Sequence, residues 1–173
     1  MIETDGWPRD MPQKKDLAEH IRIPEPSQGD LAWAKSMDGR WNRTLAKELG
    51  KVSRDGYIWR VKYLLDLKEN QEKDININKS RLYRNKDLTP VGHAIEGKHL
   101  NVIELLLSVN ADPQESGWRS ASWAKNAEVW RILLRDPCVL DEAVRVVRNT
   151  SGGLAVFCDV LKELHPTQLE NYG

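Results

Sequence analysis

The stretch Thr89–Pro113, TPVGHAIEGKHLNVIELLLSVNADP, constrains the fold more than any other part of the chain. Thr89 reads as a helix N-cap with Pro90 at the first helical position, where its missing N–H is no loss. A short helix is predicted over Val91–Glu96, and Gly97 is expected where the backbone turns with positive φ. A second helix is predicted from Leu100 to Val109. Its residues Val102, Ile103, Leu105, Leu106 and Leu107 give it a broad apolar face. Asn110, Ala111, Asp112 and Pro113 end it with turn formers and a proline. One such pair cannot bury its own apolar face, so pairs of the same kind must flank it.

These residues resemble an ankyrin repeat: Thr-Pro, a helix of small residues, a Gly–His turn, a Leu-Leu-Leu helix and a closing Asn-Ala-Asp-Pro in place of the usual Gly-Ala-Asp. Two positions depart from the family pattern. Gly92 stands where the inner-helix histidine is expected, with His93 one residue later, and Lys98 separates Gly97 from His99. The resemblance implies an all-α ankyrin-repeat solenoid whose repeats are linked by β-fingers, and a protein-binding role.

The rest of the chain is organised around this unit. Residues 1–29 carry Pro8, Pro12, Pro24 and Pro26 among many charges, and read as a flexible arm. Asp16–His20 is long enough for one helical turn, and Trp7, Ile21 and Ile23 are candidates for gripping a partner. Asp30 reads as the N-cap of a short helix, Leu31–Met37, that serves as half a repeat or a cap. The first full pair is predicted as Thr44–Leu49 and Tyr57–Asp66, joined by a lengthened turn, Gly50–Gly56. Ile58, Val61, Leu64 and Leu65 share one face of its second helix.

Lys68–Asp87 is then a long connection, and the resemblance makes it a long β-finger opened by Asp74–Asn78. Lys79, Arg81, Arg84 and Lys86, with Tyr83 among them, form a basic, aromatic cluster at its tip, which reads first as a solvated loop, next as a contact for an acidic protein partner and last as a nucleic-acid contact. Gly117–Lys125 and Ala127–Arg135 read as a third pair ending at Asp136 and Pro137. Asp141–Arg148 and Leu154–Leu164 read as a fourth. The equivalent leucines Leu107, Leu134 and Leu161 recur at a constant step, shorter than the ~33 residues of a family repeat. The expected architecture is thus about four helix-turn-helix units within residues 30–165, with 166–173 as a tail.

Composition narrows the function. The formal net charge is zero with 30% charged residues, which argues against nucleic acid and anionic membrane surfaces. No apolar run is long enough to span a bilayer, and no secretory signal is visible. Cys138 and Cys158 are too few for a disulfide framework and are expected to be reduced, in a cytoplasmic setting. His20, His93, His99 and His165 are scattered, and no Cys/His spacing suits zinc. Gly152-Gly153 is not followed by the Lys-Ser/Thr of a phosphate loop, and Ser120 and Ser122 lie in no nucleophile elbow. No catalytic set, metal site or cofactor is expected, and His93 and His99 are assigned to packing.

Seven tryptophans against one phenylalanine are unusual. Trp118 and Trp130 align with core positions, and Trp59 falls on the side of its helix that faces the arm or a partner. By the resemblance, Glu96 and Trp123 occupy groove-facing positions; Trp123 is either an exposed anchor or packs on its neighbour. The partner-binding set is therefore Arg81, Tyr83, Arg84, Lys86, Glu96 and Trp123. The expected function is a non-catalytic adaptor, inhibitor or immunity-type binder for a protein partner. The alternative is a structural subunit that forms homo-oligomers or sits in a larger assembly.

Overall fold

The computed structural model describes residues 21–70, 75–78, 81–83, 86–135, 139–150 and 153–167. Among them are nine helices: α1 (Gln28–Met37), α2 (Asn42–Asp55), α3 (Ile58–Asn70), α4 (Pro90–Gly97), α5 (Leu100–Ser108), α6 (Gln114–Ala124), α7 (Ala127–Leu133), α8 (Leu140–Arg148) and α9 (Leu154–Leu164). Two three-residue strands, β1 (Arg81–Tyr83) and β2 (Lys86–Leu88), pair antiparallel with Tyr83 opposite Lys86. The fold is helical.

The helices lie in two rows. α2 packs on α4, α4 on α6 and α6 on α8; in the second row α1 packs on α3, α3 on α5, α5 on α7 and α7 on α9. Within pairs, α2 meets α3, α4 meets α5 and α8 meets α9. Short connections make the members of a pair antiparallel. One apolar core fills the space between the rows, from Leu45, Leu49 and Val61 through Ile95, Ile103 and Leu106 to Trp130, Phe157 and Leu161. Each leucine or isoleucine buried there contributes about 1.5–3 kcal/mol.

The central pair forms as its residues dictate. The Gly92 N–H donates to Thr89 Oγ1 at 3.2 Å, and the Thr89 hydroxyl donates to the Pro113 carbonyl at 3.3 Å, so one side chain caps α4 and ties it to the start of α6. The far end differs from expectation. Gly97 is the last helical residue, and the left-handed position falls on Lys98, at φ 59°. Gly97 is needed for space instead. A Cβ there would lie 2.5 Å from the Arg54 carbonyl oxygen and 2.5 Å from the His99 ring. The same ring closes on Gly56, so His99 is wedged between two successive turns.

Further boundaries move, among them the start of α6, at Gln114 instead of the expected Gly117. The N-cap of α1 is Ser27, not Asp30: Asp30 is the third helical residue, and its carboxylate accepts from the Ser27 backbone N–H at 3.0 Å while the Asp30 N–H donates to Ser27 Oγ at 3.2 Å. This is a capping box, in which each residue satisfies a donor of the other. The expected turn over Gly50–Gly56 is helix. α2 runs unbroken to Asp55 because Val52 and Ser53 are buried, and Gly50 lies against the His93 ring. The turn is made by Gly56 alone, at φ 77°. α3 likewise continues past Asp66 to Asn70.

Neighbours in each row are also joined by ion pairs. Asp30–Arg60 (2.6 Å) links α1 to α3, Arg54–Glu96 (3.8 Å) links α2 to α4, Glu104–Arg135 (2.8 Å) links α5 to the turn after α7, and Arg131–Glu163 (2.9 Å) links α7 to α9. At the surface each is worth about 0–1 kcal/mol, so they fix register more than they hold the stack.

Candidate interaction surfaces

The strand pair carries Arg81, opposite Leu88, and Tyr83, opposite Lys86. Arg84 and Lys79 lie outside the described residues, as do the side chains of Arg81, Tyr83 and Lys86. The connection leading to the strands is anchored. Ile75 and Ile77 are buried in the common core, and the Asp112 N–H donates to Asn78 Oδ1 at 2.8 Å, which fixes the base of the hairpin to the loop between α5 and α6. β2 in turn packs on α4 and α6.

In the first row, Glu96 sits in the last turn of α4 and meets Arg54 across the turn edge, with both side chains partly exposed. Trp123 lies in the last turn of α6; its side chain is outside the described set. The α4–α6 contact brings the helices that bear Glu96 and Trp123 side by side. His93 is 2% exposed and packs against Gly50, a core role. His165 is buried, and its Nε2 lies 2.7 Å from the Leu134 carbonyl oxygen, so it closes the end of α7. Trp118 and Trp130 stack at 6.3 Å, and Phe157 meets Trp130 edge-on at 5.0 Å, so both tryptophans belong to the core. Cys158 packs partly buried on the core, and Cys138, Asp136 and Pro137 lie outside the described residues.

A third surface has no counterpart in the expected set. Where α1 meets α3, Trp33 and Tyr63 pack edge to face at 6.0 Å and Trp59 stacks on Tyr63 at 5.5 Å. The Arg60 guanidinium lies 4.5 Å from the Tyr57 ring centre and 5.3 Å from that of Trp33. Asp30 neutralises Arg60 from the start of α1. The Ser27 hydroxyl first, then Arg60, hold the Asp30 carboxyl below the usual carboxylate range. Burial, then the charge of Asp38, pushes the Tyr63 phenol up. Near this cluster in sequence, Trp41 is 85% exposed and Tyr57 49%. Trp41 is the N-cap of α2, a position that favours Ser, Thr, Asp or Asn, and it makes no side-chain cap bond. Tryptophan at such a site is the signal that sequence reasoning passed over.

Among the described residues, no group of three or more His, Cys, Asp or Glu side chains could hold a metal ion, and no helix is long and apolar enough to cross a membrane. No family model, curated protein or solved structure matches this chain.

Proposed function

We propose that the chain is an ankyrin-type array that acts without catalysis, as a cytoplasmic module that recognises another protein. The observation that carries this reading is the order of packing: each helix pair touches the pair before it and the pair after it, in two rows. Such a stack offers long edges and a face along the first row. It is rigid before binding, so little ordering is lost on association. The paired strands beside α4 and α6 fit the finger of such an array, with Arg81, Tyr83 and Lys86 on the strands and Arg84 following Tyr83 in sequence.

The test is a pull-down from the native cell with wild-type protein beside Trp123→Ala and an Arg81→Glu/Arg84→Glu variant, each checked for folding by circular dichroism. A protein held by wild type and lost from either variant supports the reading. Identical recoveries from all three would contradict the surface assignment.

A second reading, a subunit built into a larger assembly, draws on Trp41, Tyr57 and Leu31, which are exposed at the first helices of the array. Light scattering on the purified chain tests it. A monomer at tens of micromolar would argue against self-association.

A further inference from the structure

The turns that join the two rows lie along one edge. The end of α2 meets the end of α4 where Gly97 approaches the Arg54 carbonyl and His99 closes on Gly56. Further along, a Cβ on Gly153, the residue before α9, would lie within 2.9 Å of the Ser122 backbone in the last turns of α6. The C-terminal ends of α2, α4, α6 and α8 therefore face the same way, and each ends in or beside a basic residue: Arg54, Lys98, Lys125 and Arg148.

Two of these carry a conformational burden. Lys98 has φ 59° and Lys125 φ 48°, at the equivalent position of successive pairs, directly after the helix. The first turn of the series has glycine at this position, Gly56, at φ 77°. An L side chain in the left-handed region crowds the following carbonyl, and glycine does not. Among the described residues, the other non-glycine residue with positive φ is Asn110, a type that tolerates the region through its short polar side chain. Lysine has no such compensation. Both lysines are exposed, and neither makes an ion pair among the described residues. Acidic groups on the edge are few: Glu96 is engaged by Arg54, Glu128 at the start of α7 by Arg131, and Asp55 sits at the first turn. Helix-end dipoles favour a basic residue nearby, but they do not require it at the strained position itself.

We infer that the turn edge is a docking surface for an acidic polypeptide segment, with Lys98 and Lys125 as its paired contacts. The inference rests on the protein-recognition reading above and names the chemistry of the partner. Stacked helices lie roughly 8–10 Å apart. A polyproline II chain has three residues per turn and rises about 3.1 Å per residue, so carboxylates three residues apart share one face and match the two ammonium groups.

The test uses the purified full chain and a fluorescein-labelled (Glu-Gly-Ser)6 peptide, followed by fluorescence anisotropy at 20 and 150 mM salt. A (Lys-Gly-Ser)6 peptide and a single-stranded oligonucleotide of matched charge serve as comparisons. Wild type is expected to bind the acidic peptide, and more weakly at the higher salt. The Lys98→Gly/Lys125→Gly variant is expected to bind roughly tenfold more weakly, the sum of two exposed ion pairs. It should also melt at a higher temperature, so lost binding cannot come from lost folding. Lys98→Arg/Lys125→Arg should keep binding. A glycine variant that binds the acidic peptide as wild type does would overturn the inference, as would an oligonucleotide held as tightly as the acidic peptide. Neither result touches the hairpin and first-row assignments, which the pull-down tests separately.

Discussion

A methyl group on Gly97 would meet the Arg54 carbonyl oxygen at 2.5 Å, far inside van der Waals contact. Gly97→Ala therefore pits a helix-propensity gain of ~1 kcal/mol against a backbone clash. The clash wins, because the contact is with main chain that cannot swing away. We expect a net loss of about 2–3 kcal/mol, read as a lower urea midpoint. One residue on, the sign reverses: Lys98→Gly relieves the left-handed conformation and should raise stability by about 1 kcal/mol in the same assay. The sequence marked this turn without dividing its labour. Gly97, Lys98 and His99 are all visible as turn residues, but which of them bends and which makes room depends on Arg54 and Gly56, more than forty residues away in the chain. The packing role of His93 and His99 was legible, because neither had a partner in sequence that could make it a chemical group.

At the scale of elements, the helices with clean apolar periodicity were legible to within a few residues: α4, α5, α8 and α9 begin and end close to their expected bounds. α2 was not. Gly50 followed by Lys51, Ser53, Arg54 and Asp55 has the composition of a turn, and only burial of Val52 and Ser53 against the neighbouring pair keeps it helical. The start of α1 was misplaced for a related reason. Ser27 and Asp30 are both good caps, and their reciprocal hydrogen bonds settle which is outside the helix. That capping box also makes α1 sensitive to acid. Asp30 has a lowered folded-state pKa, so its contribution is complete above the unfolded carboxylate value of about 3.9 and is lost as pH falls below it, through the lower folded value. Amide exchange should therefore show α1 loosening as pH falls below about 3.9, before the core helices do. In Asp30→Asn, α1 should already be looser at pH 7 and show less further change on acidification.

For the whole molecule, the stack depends on side chains that bridge consecutive pairs. Trp130 is fully buried on α7 and touches Trp118 of α6 and Phe157 of α9. Trp130→Ala should cost about 3–5 kcal/mol, seen as a lower melting temperature. Amide protection should fall first in α6 to α9, with α2 to α5 retaining theirs longer, since each pair leans mainly on its neighbours. The proposed contact residues are only partly legible at this scale. The sequence expects Arg81, Tyr83 and Lys86 in one long connection, and there they lie on two short antiparallel strands, Tyr83 opposite Lys86. It does not mark the exposure of Trp41 or the positive φ of Lys98 and Lys125, because exposure and backbone conformation are properties of the folded chain.

The most direct test of the two-row stack is the set of distances along its second row. In a variant with Cys138→Ser and Cys158→Ser, one spin label replaces Lys62 on α3 and a second replaces Asn101 on α5, Glu128 on α7 or Asp159 on α9, and pulsed electron resonance measures each separation. The stack predicts that the separation grows at each step by about 10 Å, one interhelical spacing. A separation from α3 to α9 no larger than that from α3 to α5 would mean a closed bundle, and would contradict the account.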